Sequence, residues 1–528
     1  MKDCVEESGK RNKNLSTEGK SLRILVVTEC FWPDIYAIND IVEKLVQRGH
    51  KVTVLTGLPD YTTTRIPEEY KHGRNRHQNY KGADVYRVPT IARRHGPIWR
   101  SLSYLSFVMN GWLRAKTQDW KHTQVWGNPT LNQSGAEMEK ELDPACTDGA
   151  KTRGLDVNPT GDAKTCDEGA KPASDADFDV IYVWEVSPVT MAVPAIALKK
   201  RYKKPLFLYC MDIWPECVKA MSIKEGTLPY KMIHAWTKRI YRQCDHIAVS
   251  SKPFFQYMEE KNGIPHSKMS YLPQYADVGL LELDTRKFKP DEARSAQNEE
   301  TPVRSRNVQN SEISVRAGNV QDSEASGKIA HVDFLFIGNI GKAQNLDCLM
   351  KAMTVFNGRN DVTLHMVGGG SEFDNIKKMA EDLGLDDIVT FYGPKPFKEA
   401  ISFYNKADAC VLTLDGSTHI GDTLPGKLQT YMAAGKPILA AANGAAMEVI
   451  REANCGKCVA AGDHEAYGRI LQEFAKEIQS KDQTCADLAN PSSDISRYGD
   501  NARRYFRENF MEEQHFTELE RLFGEMIK

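Results

Sequence analysis

The sequence predicts an α/β protein with two Rossmann-like domains that face each other across a cleft. Short runs of branched apolar residues, which are typical of buried parallel strands, alternate with segments of helical period. This alternation runs through residues 21–275, and a second series of the same kind fills residues 331–505. Polar segments interrupt the two series. Repeated strand–helix alternation favours layered α/β domains.

The first series opens with a strand, a helix and a second strand. The run RILVV from Arg23 is typical of a buried strand, and the helical pattern that follows stops at Gly49, a residue type that often ends helices. The chain then continues the alternation, with strands predicted in KVTVLTG, VYRVP, FDVIYVW, KPLFLYC and DHIAVSS. This βαβ opening predicts a parallel sheet.

The second series repeats the pattern from residue 332. Strands are predicted in VDFLFI, VTLHMV, IVTFYG, ACVLTL and KPILAA, and helices in NLDCLMKAM, FDNIKKMAEDLG, FKEAISFYNKA and LQTYMAAG. Residues 506–528 form a charged amphipathic stretch. When two such halves face each other, the carboxyl ends of their strands border a cleft in which ligands commonly bind.

Three segments are predicted to be disordered: a leader at residues 1–20, an insertion at 117–177 and a linker or insertion at 276–330. The first insertion contains no Ile, Phe or Tyr, and residues 289–330 contain no aromatic residue and no Leu. Such segments cannot bury enough apolar surface to offset their ordering entropy. We interpret both insertions as spacers, and a regulatory or partner-binding role is the open alternative.

Charge and hydropathy narrow the class of protein. The chain carries 69 basic and 71 acidic residues, a net charge of -2, which argues against a dedicated nucleic-acid-binding protein. The charge-free stretches of the amino-terminal half are shorter than the roughly 20 apolar residues that span a bilayer, and residues 1–20 lack the apolar core of a signal peptide. We therefore expect a cytoplasmic protein. The basic, aromatic residues 93–116 could contact a membrane surface or form a core helix pair.

Three loops of the second half are candidate anion sites. Each follows a strand or precedes a helix, where glycines let backbone amides approach a ligand and the helix N-terminus favours negative charge. Lys427 could stabilise a leaving diphosphate, and Lys342 could reach phosphate oxygens. The loop residues are Gly338, Asn339, Gly341, Gln344, Gly368, Gly369, Asp422, Thr423, Leu424, Pro425 and Gly426. Tight turns and a solvated lysine are the structural alternatives.

The first half offers polar residues that follow its strands. Asp34, Asn39 and Asp40 come after the first strand, Glu185 after FDVIYVW, and Asp212 after KPLFLYC. Carboxylates at the edge of a cleft can orient hydroxyl groups or act as a base. Helix capping is the alternative for Asp34 and Asn39.

Taken together, these segments resemble those of family 4 retaining glycosyltransferases, and most of all the WbuB-like branch that builds bacterial surface polysaccharides. The resemblance lies in RILVVTECFWPDIYAIND, VTVLTGLPDY, SPVTMAVPAIALKK, DIWPE, FIGNIGKAQNL and TLPGKLQTYMAAGKPIL. It implies the two-domain B-type glycosyltransferase fold, with a nucleotide-diphosphate sugar in the second half, an acceptor in the first half and a terminal helix that crosses back. It also implies retention of anomeric configuration, with no metal and no cofactor.

The donor side departs from the family pattern. An Arg and a Lys of the family correspond here to Asn339 and Gln344, so the resemblance assigns the diphosphate to Lys342 and Lys427. In addition, Gly393 and Pro394 match the segment that often holds the base.

Two family glutamates, eight positions apart, correspond to Asp422 and Thr430, so ribose recognition through a carboxylate is lost at Thr430. The glycine pair expected after the first strand is replaced by Tyr36 and Ala37. The catalytic assignments are therefore Lys342, Lys427, Asp422 and Asp212.

The resemblance thus implies transfer of a sugar, UDP-linked and with an N-acetylated sugar as one option, to a lipid-linked or saccharide acceptor. Surface polysaccharide synthesis, as of O-antigen, capsule or exopolysaccharide, at or near the cytoplasmic membrane face is the expected setting. A sugar-nucleotide epimerase or hydrolase, and a non-catalytic scaffold of polysaccharide assembly, are the alternatives.

Overall fold

A computed structural model provides the structure of the protein. It describes residues 21–60, 64–94, 96–120, 176–216, 223–276, 278–282, 330–416, 419–483 and 495–528. The leader at residues 1–20 and most of the two segments predicted to be disordered lie outside the described residues. Among the helices that are described, none is long and apolar enough to cross a membrane.

The amino-terminal domain is built on a sheet of eight strands in the order β3-β4-β2-β1-β5-β6-β7-β8, all parallel except β3. The strands are β1 (Arg23–Val27), β2 (Lys51–Thr56), β3 (His77–Tyr80), β4 (Ala83–Arg87), β5 (Val180–Glu185), β6 (Leu206–Cys210), β7 (His246–Val249) and β8 (Met269–Tyr271). The helices are α1 (Ala37–Gln47), α2 (Pro97–Thr117), α3 (Ala192–Tyr202), α4 (Leu228–Tyr241) and α5 (Pro253–Tyr257). Strands such as β5 and β6 are buried along their whole length, as expected of parallel strands with helices on both faces.

The carboxyl-terminal domain has a parallel sheet of six strands in the order β11-β10-β9-β12-β13-β14. These are β9 (Val332–Ile337), β10 (Val362–Val367), β11 (Val389–Gly393), β12 (Ala409–Thr413), β13 (Ile438–Ala441) and β14 (Gly456–Val459). The helices are α6 (Leu346–Met353), α7 (Phe373–Asp382), α8 (Phe397–Lys406), α9 (Gly426–Ala433), α10 (Gly444–Ala453), α11 (His464–Gln483), α12 (Ile495–Asn509) and α13 (Glu512–Ile527). The predicted pair of parallel-sheet α/β domains is confirmed.

The last helix joins the two domains. While α12 packs against α9 of the carboxyl-terminal domain, α13 lies on the first sheet beside α1. Phe516, Leu519, Leu522 and Phe523 of α13 are buried there, and each such side chain contributes roughly 1.5–3 kcal/mol to this packing. Arg48 adds an ion pair to the helix through Glu520, at 2.7 Å. The terminal helix therefore crosses back to the first domain, as the resemblance implies.

The two ends of the first insertion meet at one place. The backbone N–H of Asp177 donates to the carbonyl of Trp120 at 2.9 Å, and both Trp120 and Ala176 are buried in the core. The indole of Trp120 packs edge-on against Tyr86 of β4. Trp120 and Ala176, the described residues that flank this segment, therefore lie at a single point, and the outermost residues of the predicted insertion belong to the fold.

Candidate functional site

The carboxyl ends of the two sheets face each other, and two hydrogen bonds connect the domains there. Ser251, which follows β7, donates through its hydroxyl to the carbonyl of Asp422 at 2.5 Å. Gln429 of α9 donates its side-chain amide to the carbonyl of Gln274 at 3.1 Å. The loop before α9 is therefore held against the first domain, at the edge where the sequence predicts a cleft.

Two glycine loops pack against each other beside this edge. Gly338 and Gly368 follow β9 and β10 with φ angles of 145° and 139°. A Cβ atom at Gly368 would lie 1.9 Å from the carbonyl oxygen of Gly338, so a larger residue would separate the loops. The N–H of Ile340 donates to the carbonyl of Gly369 at 2.8 Å. The glycines thus allow the two loops to pack closely against each other. Contact of their backbone amides with a ligand stays a prediction.

Lys427 is the cationic centre of the donor side. Its ammonium donates to the side-chain carbonyl of Gln344 and lies 4.3 Å from the centre of the Phe336 ring. The end of its side chain also lies beside Gly338, because a Cβ there would be 3.6 Å from Nζ. The structure thus brings together three residues that the sequence assigned to the donor, which are Gly338, Gln344 and Lys427. Burial lowers the pKa of Lys427 to about 7.

Lys342 occupies a different position. Its side chain is exposed and lines a hollow of about 260 Å³ together with Asp347, Glu372 and Asp415. The hollow around Lys342 is therefore acidic. Lys427, by contrast, contacts an amide oxygen and an aromatic ring, and its described interactions include no carboxylate. The two lysines expected to share one diphosphate therefore lie in two different electrostatic environments.

The loop before α9 holds the remaining donor-side candidates. Leu424 is buried in the core, Pro425 precedes the helix, and Gly426 is its first residue. The hydroxyl of Thr430 donates to the carbonyl of Gly426 at 3.1 Å, so it is engaged within its own helix. The neighbouring Thr423 is partly buried.

The carboxylate of Asp422 lies next to the start of α10. A Cβ at Gly444 would be 3.3 Å from its Oδ1. In the loop after β9, the side-chain amide of Asn339 lies against Gly341, since a Cβ there would be 2.9 Å from Nδ2.

Gly393 and Pro394 complete the donor side on the next strand. The carbonyl of Gly393 accepts from the N–H of Gly368 at 2.9 Å. The ring of Pro394 borders Gly369, because a Cβ atom at Gly369 would lie 3.0 Å from Cγ of Pro394. Both residues therefore border the glycine loop after β10.

In the first domain, the loop between β1 and α1 is braced by its own polar residues. Asn39 accepts from the N–H of Trp32 at 3.0 Å and donates to the carbonyl of Asp34 at 2.7 Å. No side chain caps the N-terminus of α1. Asn39 therefore stabilises the loop before the helix, and it does not cap the helix, which was the alternative considered from the sequence. Asp40 instead accepts from the hydroxyl of Tyr275 at 2.5 Å.

Asp212 and Glu185 lie at the ends of β6 and β5. Asp212 accepts from the N–H and the hydroxyl of Ser187 at 3.2 and 3.0 Å, and burial raises its pKa. Glu185 is fully buried against Tyr241, whose hydroxyl lies 3.4 Å from its Oε1. Burial holds the pKa of Glu185 well above its usual range. A role toward the acceptor stays a prediction for both residues.

A buried ionic cluster after three strands was missed in the sequence. Arg93 pairs with Glu29 at 3.1 Å, and its backbone N–H donates to Asp60 at 2.7 Å. The N–H of Asp60 in turn donates to the carboxylate of Asp34 at 3.1 Å. Glu29 follows β1, Asp60 follows β2 and Arg93 follows β4. Polar residues after consecutive parallel strands were therefore the available signal.

Comparison with known proteins finds a family similarity in the carboxyl-terminal domain and a fold likeness over both domains. Residues 326–488 match the family described as Glycosyl transferases group 1. D-inositol 3-phosphate glycosyltransferase of Streptomyces coelicolor is 29% identical over 151 residues, which cover 27% of this chain and 32% of that protein. The chain thus spans about a third of the length of these curated relatives.

Two solved structures share the whole two-domain architecture. Sucrose-phosphate synthase of Thermosynechococcus elongatus has a TM-score of 0.60 at 14% identity, and covers 96% of this chain and 99% of its own. The Anabaena protein Alr3699/HepE, solved in complex with UDP, has a TM-score of 0.56 at 12% identity, with 96% and 100% covered. These likenesses confirm the B-type glycosyltransferase fold that the sequence predicts.

Proposed function

We propose that this protein is a retaining glycosyltransferase that moves a sugar from a nucleotide-diphosphate sugar to a lipid-linked or saccharide acceptor. The observation that carries the proposal is the group formed by Lys427, Gln344 and Gly338 at the carboxyl edge of the second sheet. There a lysine, glycine backbone and the first turn of α9 converge, which suits a diphosphate. The match of residues 326–488 to Glycosyl transferases group 1 supports sugar transfer as the chemistry.

Lys427 has the central role in the proposed mechanism. With a pKa of about 7, it is only about half charged near neutral pH when the site is empty. A bound diphosphate favours the protonated ammonium, which then offsets the charge that develops on the leaving group. Gln344 orients the ammonium through its side-chain carbonyl. Following the resemblance, the leaving phosphate takes the proton of the acceptor hydroxyl.

UDP is the nucleotide we propose for the donor, with an N-acetylated sugar as the first candidate. The fold likeness to the Anabaena protein solved with UDP supports this choice, as does the resemblance to the WbuB-like branch. That branch also suggests surface polysaccharide synthesis as the setting. No cofactor or metal enters the proposed reaction.

The test is a thermal-shift and calorimetry panel of UDP-, GDP- and dTDP-sugars. A ligand that binds the folded state raises its apparent stability by mass action. We expect one UDP-sugar to raise the melting temperature of the native chain and of Lys351→Met, an exposed lysine on α6, but not of Lys427→Met. Lys342→Met tests whether the exposed lysine also contacts the donor. A full shift in Lys427→Met would overturn the assignment of the diphosphate.

The alternatives differ in what happens to a bound donor. A sugar-nucleotide epimerase or hydrolase would convert the UDP-sugar with no acceptor present. A non-catalytic scaffold would bind it and transfer nothing to any saccharide or lipid-linked acceptor. Release of UDP only when an acceptor is added supports the transferase.

A membrane-facing surface is the second part of the proposal. On α2, Ile98, Leu102, Leu105, Met109 and Trp112 recur at helical spacing, and all are exposed. On α4, Leu228, Met232 and Trp236 form an equivalent stripe, with exposures of 71%, 65% and 44%. Trp112 and Trp236 line the same groove, whose floor comes from α3, so both stripes border one surface.

The charges around this surface favour an anionic lipid bilayer. Neither α2 nor α4 contains an acidic residue, and Arg100, Arg114, Lys231 and Arg239 are exposed on them. Apolar anchors ringed by basic residues are typical of interfacial helices. We expect the protein to co-sediment with phosphatidylglycerol vesicles, less with phosphatidylcholine vesicles, and to lose binding in Leu228→Ser/Met232→Ser. Equal sedimentation of that variant would refute the surface.

A further inference from the structure

A cavity of about 380 Å³ lies where the two domains are connected, outside the glycine loops of the donor side. Its walls come from α1, from the ends of β5 and β6, from Gln274 and Tyr275 that follow β8, and from α13. Volumes of this size are typical of small-molecule sites. Neither Lys427 nor the glycines after β9 and β10 line the cavity.

Three of the side chains that line this cavity each carry a buried polar atom without a hydrogen-bond partner. These atoms are Nε1 of Trp184, the hydroxyl of Tyr209 and Nε2 of His515. The three residues are 3%, 0% and 4% exposed. Unpaired buried polar groups are rare in native proteins and destabilise them, so each needs an explanation. A bound molecule with several hydrogen-bonding groups supplies one.

The hydrogen-bonding capacity of the three atoms is complementary. The indole N–H of Trp184 only donates, and the hydroxyl of Tyr209 donates or accepts. Nδ1 of His515 lies 2.8 Å from the carbonyl of Pro273, to which it donates, so Nε2 is left as an acceptor. Burial lowers the pKa of His515 to about 4, which keeps the ring neutral. The cavity therefore offers both donors and acceptors, as hydroxyl groups require.

The charged groups of the cavity are already engaged. Lys44 pairs with Glu512 at 3.0 Å, and Asp40 accepts from the neutral hydroxyl of Tyr275. One negative charge is left over, which disfavours an anionic ligand and adds carboxylate acceptors for hydroxyl groups. The aromatic rings of Trp184 and Tyr275 provide apolar faces. Apolar faces beside neutral donors and acceptors match a pyranose ring, whose C–H face is apolar and whose hydroxyls hydrogen-bond.

We infer that this cavity binds a neutral saccharide ring, at a site separate from the diphosphate. The hydroxyls of the bound ring lie against Trp184, Tyr209 and His515. The ring thereby connects the first sheet, the segment after β8 and α13. Gln274 forms one wall and also accepts the hydrogen bond from Gln429 of α9, so the wall contacts the donor side. This site does not depend on the proposed transferase activity.

The test uses the full chain with D-glucose and N-acetyl-D-glucosamine, by saturation-transfer NMR and calorimetry. One ring held by a few hydrogen bonds binds in about the millimolar range, so titration extends to roughly 20 mM. We expect saturation transfer to the ring protons and a measurable affinity for at least one sugar. Lys427→Met should bind that sugar equally well, because the cavity excludes Lys427.

Tyr209→Phe and Tyr182→Phe are a matched pair of variants. Both tyrosines are fully buried with unpaired hydroxyls, but only Tyr209 lines the cavity. We expect Tyr209→Phe to weaken sugar binding about fivefold, the value of one hydrogen bond, and Tyr182→Phe to leave it unchanged. Neither variant should lower the melting temperature of the free protein. No binding of either sugar, or equal binding by the two variants, would overturn the inference and leave ordered water as the occupant.

Discussion

Replacing Lys427 with methionine should make the protein more stable, and the gain should depend on pH. Burial lowers the pKa of this lysine from 10.5 to about 7 in the folded protein. Between these two values the unfolded chain binds more protons than the folded chain, so this group makes stability rise with pH. Methionine keeps an unbranched side chain and removes the desolvated charge. The variant therefore lacks this pH-dependent contribution.

The size of the effect follows from the two pKa values. Holding the lysine in its site costs about 4 kcal/mol at pH 7 and about 2 kcal/mol at pH 9, as upper values because partial solvent contact weakens the penalty. The lost hydrogen bond to Gln344 offsets the gain by about 1 kcal/mol at any pH. The stability difference between the variant and the native chain should thus shrink by up to about 2 kcal/mol from pH 7 to pH 9.

Urea unfolding at several pH values measures this difference. Lys351→Met is the matched control, because Lys351 is exposed on α6 of the same domain. Its stability difference from the native chain should stay constant between pH 7 and pH 9. If Lys427→Met also shows a constant difference, the lysine is not desolvated in the folded protein and the reasoning fails.

Three further predictions concern the donor, the ionic cluster and the insertion. The affinity for UDP should fall about tenfold per pH unit above pH 8, because binding then requires that Lys427 take up a proton. Calorimetry at pH 7 to 9 measures this, and a dissociation constant that does not change with pH would contradict it. Arg93→Met should destabilise the protein by roughly 3–5 kcal/mol, since it removes the ion-pair partner of the buried Glu29. Arg94→Met changes an exposed neighbouring arginine and should leave stability nearly unchanged. Urea unfolding of the two variants measures the difference, and equal stabilities would contradict the prediction. Replacing residues 122–174 with a short Gly-Ser linker should change the melting temperature little, because Trp120 and Asp177 already meet; loss of soluble protein would refute the spacer interpretation.

Much of the fold follows from local sequence patterns. The branched apolar runs specify buried parallel strands, and the two series of alternating elements specify two sheets with helices on both faces. β3, a short polar strand at the edge of its sheet, escaped this reasoning because its residues 77–80 do not form an apolar run. The stripes on α4 were also available in the sequence, as apolar residues four positions apart, but periodicity alone does not distinguish an exposed stripe from a core one.

The sequence indicated which loops form the candidate site, but it did not indicate which of their side chains lie next to each other. Glycine loops after strands predict where a ligand lies, and Gly338, Gln344 and Lys427 do lie together. Which lysine is desolvated could not be predicted, because Lys342 and Lys427 both follow glycine-containing loops, and the residues that pack around each of them come from elsewhere in the chain. The pKa of a lysine depends on its desolvation, which is a property of neighbours brought from distant parts of the chain.

The sequence by itself therefore determined most of the strands, several of the helices, the division into two domains and the loops that border the cleft, because these depend on the spacing of apolar residues and glycines over short distances. Only the tertiary structure decided the pairing of Arg93 with Glu29, the desolvation of Lys427 and the cavity lined by α1 and α13. Each of these depends on contacts between residues far apart in the chain, whose distances are set when the sheets pack with their helices and with each other.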